Sequence, residues 1–117
     1  MSRIRIGLAQ INATVGDLEG NVRRILEGIE QARRWGVDIV AFPELAVTGY
    51  PPEDLLFRSD LQSANLAALE RIAPATRGLT AIVGFVDRQD DLYDGAAVLN
   101  EGNVAAVYHK THLASGA

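Results

Sequence analysis

Apolar positions recur along this chain in two rhythms. From Arg3 to Gln10 they alternate, with Ile4, Ile6 and Leu8 on one side, which predicts a strand. Asn12 to Gly20 reads as a loop, with turn chemistry in Val15-Gly16-Asp17. The rhythm then changes. Asn21 is read as an N-cap, and Val22, Ile25, Leu26, Ile29 and Ala32 form one stripe at helical spacing. Gly36 stops that helix, as glycine does just past a helix end. Val37 to Phe42 is short, β-branched and apolar except for Asp38, so it reads as a buried strand.

Thr48 to Arg58 is rich in proline and glycine and is expected to be irregular. A second helix is predicted from about Asp60 to Thr76, with Leu61, Leu66, Leu69, Ile72 and Ala73 as its face, Pro74 in its last turn and Gly78 as its stop. Thr80 to Val86 is another apolar strand, and Asp87 to Asp91 a polar turn. Tyr93 to Asn100 and Val104 to Tyr108 read as strands joined by a tight hairpin at Glu101-Gly102-Asn103. The order strand, helix, strand, helix and three strands predicts an α/β fold with two helices packed on a mixed sheet. The strands at 37–42 and 80–86 are apolar on both sides, so a second layer must cover the face that the helices leave open.

At 117 residues the chain is at most one domain, and 48% hydrophobic content is ordinary for a globular protein. A net charge of -4 argues against nucleic acid as a partner, because phosphate binding wants a basic face. Arg23, Arg24, Arg33 and Arg34 read as a solvated helix face. No apolar run is long enough to cross a bilayer, so no membrane role is expected. The start lacks a signal-peptide layout, which makes the cytoplasm the expected location. There is no cysteine, hence no disulfide framework.

Two strand-end residues are candidates for chemistry. Glu44 follows an apolar strand in Phe42-Pro43-Glu44-Leu45, and Pro43 holds Phe42 to extended geometry, fixing the direction of exit. The end of an open α/β sheet is where such folds place their sites. Lys110 follows the last strand in Tyr108-His109-Lys110. A glutamate and a lysine meeting at one sheet edge can serve as a base beside an oxyanion stabiliser. The bland alternatives are a solvated loop glutamate and an exposed lysine. His109 and His112 have a spacing seen in metal sites, yet no cysteine or acidic cluster completes one, so zinc is not expected. Glu53 and Asp54 read as a feature of a helix start rather than a catalytic dyad. No glycine-rich phosphate loop of a standard type is present.

Taken together, Ile6-Gly7-Leu8-Ala9-Gln10-Ile11-Asn12, Val15-Gly16-Asp17-Leu18-Glu19-Gly20-Asn21, Phe42-Pro43-Glu44-Leu45 and Tyr108-His109-Lys110 resemble the carbon–nitrogen hydrolase (nitrilase) superfamily. The run Gly49-Tyr50-Pro51-Pro52-Glu53-Asp54-Leu55 resembles one branch, the N-terminal glutaminase domain of glutamine-dependent NAD synthetases. The resemblance covers residues 3 to 113. It implies a four-layer α-β-β-α sandwich, and a mechanism in which a Glu, a Lys and a Cys act on a carboxamide. By motif position Glu44 would be the general base and Lys110 the oxyanion stabiliser, with glutamine as the substrate. The thiolate would attack the side-chain amide, release ammonia and leave a thioester for water to cleave. No cofactor is implied for this portion; ATP and Mg belong to the separate synthetase domain, where ammonia amidates nicotinic acid adenine dinucleotide to NAD.

The chain departs from that pattern in two places. The family cysteine is absent, and Ala114-Ser115-Gly116-Ala117 stands where the family continues with a proline, a small polar residue and a tyrosine. Residues 1–117 are therefore expected to be the N-terminal portion of a glutaminase domain, incomplete at the C-terminus and inactive alone, with Ser115 no substitute nucleophile. An uncovered sheet also favours a homo-oligomer. The rival readings are a free-standing amidase or nitrilase, a non-catalytic fragment acting as an interaction module, and a nucleotide-binding domain, which lacks its glycine fingerprint.

Overall fold

The computed structural model describes residues 3–14, 17–43, 46–47, 59–88 and 92–112, of which 59–62, 86–88, 92–94 and 110–112 are described by backbone alone. The elements in chain order are β1 (Ile6–Leu8), α1 (Leu18–Arg34), β2 (Ile39–Ala41), α2 (Ser59–Ile72), a 3-10 turn (Ala73–Ala75), β3 (Thr80–Arg88), β4 (Leu92–Asn100) and β5 (Asn103–His112). One sheet runs in the order β1-β2-β3-β4-β5. β1, β2 and β3 are parallel, and β4 and β5 follow as antiparallel neighbours. This is the expected α/β arrangement, two helices on one face of a mixed sheet.

Helix α1 starts earlier than its stripe suggests. Its N-cap is Asp17, whose carboxylate accepts the Gly20 N–H at 3.0 Å, rather than Asn21, which lies inside the helix and is fully buried. Asn21 shares the local hydrogen-bonding chemistry of a cap but spends it on tertiary partners. The other end is as expected. Gly36 takes φ +67°, Val37 N–H donates to the Ala32 carbonyl and Gly36 N–H to that of Arg33, the paired bonds of a Schellman stop. Val22, Ile25, Ile29 and Ala32 are buried against the sheet layer.

Helix α2 ends at Ile72, and Pro74 is the reason, since it has no N–H to continue the ladder and sits instead in the 3-10 turn that follows. Its buried side is Asn65, Ala68, Leu69 and Ile72, continued by Ala73. Leu66, expected on that face, is 48% exposed. Asn65 occupies the inward position that a hydrophobic reading gave to its neighbour. Leu61 carries no side-chain description.

Pairing trims two expected strands. β1 keeps three residues of the expected Arg3 to Gln10, and β2 three of Val37 to Phe42. Asp38, the polar exception in that stretch, has a use: its carboxylate accepts the Arg5 N–H at 2.8 Å just before the ladder begins. The β4–β5 loop has two residues, Glu101 and Gly102, both at positive φ, with Asn103 already paired to Asn100. β5 also runs beyond the expected Tyr108, to His112.

Register shows which residues share a face. Val40, Ala81 and Leu99 lie in one row beneath the helices and are buried. Leu8, Ala41, Ile82, Val98 and Ala106 lie in a row on the opposite face. There Ile6 and Leu8 are 64% and 78% exposed, and Tyr108 is exposed as well. The second sheet face is thus apolar and open among the described residues, where the two-sided strand pattern called for a further layer.

Candidate functional site

The end of β2 positions the first candidate. Phe42 is buried, and its N–H donates to the Ile82 carbonyl at 2.9 Å. Val47 returns to the same strand, its N–H donating to the Gly84 carbonyl at 3.2 Å. The chain advances from Phe42 to Val47 while β3 advances only from Ile82 to Gly84, so the chain between these anchors is longer than an extended partner would need. Glu44 belongs to that span and lies outside the described residues, as do Glu53 and Asp54.

The far anchor is held from a second direction. The Asn21 side-chain amide donates to the Val47 carbonyl at 2.9 Å and to the Thr14 carbonyl at 2.8 Å. Its oxygen accepts the Thr14 N–H at 2.8 Å and an Arg24 guanidinium N–H at 3.0 Å. Both donors and both lone pairs of the amide are used, and the opposite orientation would set its oxygen against two carbonyls. Ala46 and Val47 are fully buried at this point. The near anchor is packed as tightly: a Cβ at Gly28 of α1 would come within 2.7 Å of the Phe42 ring.

The second candidate, Lys110, lies within β5 rather than just past its end, because the strand continues to His112. Its backbone falls where the register shifts, between the pairs Gly95 with His109 and Asp94 with Thr111. Only its backbone is described. β5 is antiparallel to β4, and β4 to β3, so β5 runs in the same direction as β2 and β3. The strand carrying Lys110 and the strand leading to Glu44 therefore finish at the same end of one sheet. Three strand spacings separate β2 from β5, about 14 Å in a flat sheet, and twist shortens that span along one diagonal.

Among the described residues no group of three or more His, Asp or Glu could hold a metal ion, and no helix is long and apolar enough to cross a membrane. A groove of about 570 Å³ opens along β1 beneath α1, where Leu8, Gln10, Glu27, Gln31 and Trp35 contribute to its walls. It holds neither a nucleophile nor paired carboxylates, and its position is that of a strand edge without a neighbour among the described residues. Among the described residues the shifted titrating pair is elsewhere. Arg71 of α2 hydrogen-bonds Glu19 of α1 at 2.5 Å and holds its carboxyl below the ordinary range. That pair ties the two helices together and is far too exposed to resemble an active-site base.

Residues 5–116 match the family described as carbon-nitrogen hydrolase. A glutamine-dependent NAD(+) synthetase from Thermotoga maritima is 43% identical over 97% of this chain, which covers 20% of that protein. The crystal structure of a glutamine-dependent NAD(+) synthetase from Cytophaga hutchinsonii is 34% identical and superposes with a TM-score of 0.90, over 97% of this chain and 20% of that one. An amidase from Nesterenkonia sp. is 25% identical with a TM-score of 0.78, over 92% of this chain and 42% of its own. The chain spans about a fifth of the length of the synthetases it matches.

Proposed function

We propose a function from one premise: this chain belongs to the carbon-nitrogen hydrolase family. In our reading it supplies the N-terminal part of a glutaminase domain, which releases ammonia from glutamine for ATP-dependent conversion of deamido-NAD to NAD by a longer protein. The observation that carries this reading is 43% identity to a glutamine-dependent NAD(+) synthetase along nearly the whole chain. The amidase likeness supports the same bond class, a carboxamide. It also marks the second reading, a free-standing amidase.

Glu44 acts as the general base that takes the thiol proton, and Lys110 stabilises the oxyanion of the tetrahedral adduct. That β2, which leads to Glu44, and β5, which carries Lys110, finish at one sheet end supports the pair. The nucleophile is a cysteine supplied from outside this sequence, which contains none. In this reading ATP and magnesium belong to the synthetase part of the longer protein. No step in this chain passes through either.

The test is ammonia release from glutamine, with labelling by a thiol-directed glutamine analogue. These 117 residues alone are expected to show neither. The same residues continued through the remainder of the hydrolase domain should show both. Turnover by the short chain, once contaminating amidases are excluded, would overturn the claim that it lacks its nucleophile. An extended protein that cleaves other amides but ignores glutamine would favour the free-standing amidase.

A further inference from the structure

We infer that Asn21 is a positioning residue for this chemistry: its side-chain amide clamps the Val47 carbonyl, three residues beyond Glu44, to the first turn of α1. The inference rests on the glutaminase reading and deepens it. Glu44 follows Phe42 by two residues and precedes Val47 by three. The Phe42 anchor is a sheet hydrogen bond to Ile82. The Val47 anchor has two parts, the sheet bond to Gly84 and the Asn21 amide. Asn21 is the side chain with a hydrogen bond to this return point among the described residues, and it comes from an element 26 positions away.

The same amide does a second job with the same atoms. It takes both the N–H and the C=O of Thr14, so it also closes the loop that brings the chain from β1 into α1. The β1–α1 loop and the β2 exit thus share one fully buried, fully satisfied group. A buried amide in that state has one low-energy orientation, and removing it strands the buried Val47 carbonyl. Without it, the bond to Gly84 is what holds Val47 among the described residues. A base that must sit within hydrogen-bond reach of a thiol tolerates little drift, since misplacement by about 1 Å can cost about 100-fold in rate.

The test uses the extended protein, with turnover counted per active site labelled by the glutamine analogue, so that misfolded molecules do not enter. Asn21→Ala should lower kcat about 10- to 100-fold. KM should change far less, because the amide is fully buried and its donors and acceptor are taken by Thr14, Val47 and Arg24. Asn21→Asp keeps the size and both acceptor contacts but turns an oxygen toward two carbonyls. Its activity relative to the parent should rise only at low pH: the Arg24 guanidinium, itself paired with Asp17, opposes protonation of the introduced carboxyl, which regains one donor once protonated. Thr76→Val is the control. Thr76 is equally buried, donates to the Ala73 carbonyl and lies beneath the β4–β5 hairpin, so its loss should lower stability and leave kcat per site unchanged. Parent-like kcat in Asn21→Asp at every pH, or equal effects in Asn21→Ala and Thr76→Val, would overturn the positioning role. Retained activity in Glu44→Gln would instead bring down the reading beneath it. Loss there with parent-like Asn21 variants would bring down this inference alone.

Discussion

Replacing Gly28 by alanine sets two effects of opposite sign against each other. Gly28 is in the interior of α1, where alanine is favoured over glycine by about 0.8–1.0 kcal/mol. The new Cβ would lie 2.7 Å from Phe42 Cε1 and 3.0 Å from Cζ, with the Ala9 methyl at 3.9 Å. Carbon atoms pack best at about 3.5–4.0 Å, so the helix or the ring must yield by most of an ångström. The ring cannot swing into solvent cheaply, because Phe42 is only 8% exposed. Overpacking of this kind costs about 1–3 kcal/mol. The clash should therefore win, leaving Gly28→Ala destabilised by about 0–2 kcal/mol after the propensity gain. Urea denaturation followed by far-UV circular dichroism, at a concentration low enough to suppress association, reads this as a lower midpoint at unchanged slope. The decisive arm is Phe42→Leu. In that background the obstacle is gone, and Gly28→Ala should become stabilising by nearly its full propensity, about 0.8–1.0 kcal/mol. A midpoint that rises in the parent background, or the same change in both, would refute the close seating of α1 on the residue that leads to Glu44.

Three further outcomes are expected. Asp17→Ala should cost about 1 kcal/mol in the same melts, since it removes the cap on α1; a change indistinguishable from zero would contradict that role. Arg71 lowers the folded-state pKa of Glu19, so the stability from this pair is present above the ordinary carboxylate value and is lost as pH falls through the depressed one. Both side chains are exposed, so the difference between parent and Arg71→Ala should be small, shrink with salt and vanish in acid; persistence in acid would assign it to something other than charge. Leu8→Lys should reduce self-association in sedimentation without weakening the fold, because Leu8 projects from the open sheet face; a monomeric parent chain would mean that this face does not drive assembly.

How far the sequence could be read depended on where each residue's partners lie. Helix α1, its stop at Gly36 and the β4–β5 hairpin were legible because their signals sit within a few residues of the structure they cause. The two-sided apolar pattern of β2 and β3 also read correctly, since register leaves one face under the helices and the other open. The motifs around Glu44 and Lys110 carried the family resemblance, and residues 5–116 match that family. The misses share a cause. Asn21 read as a cap because a cap and a tertiary clamp use the same amide, and only Val47, far along the chain, distinguishes them. Leu66 read as core because it is apolar and near Leu69 and Ile72, whereas the helix turns the polar Asn65 inward. Gly28 drew no comment, being a mere propensity cost until Phe42 is set against it. For the site, the sequence named two residues, and the backbone adds that their strands finish at one sheet end.

The most direct measurement is the rate of ammonia release from glutamine by the extended protein, parent against Glu44→Gln, each normalised to folded protein. Glutamine at that position keeps the size and loses the base, while residues that act as one unit lose nearly all activity together. The expected result is loss of turnover in Glu44→Gln with an unchanged melting curve. Full activity in that variant would remove Glu44 from the mechanism and contradict the account.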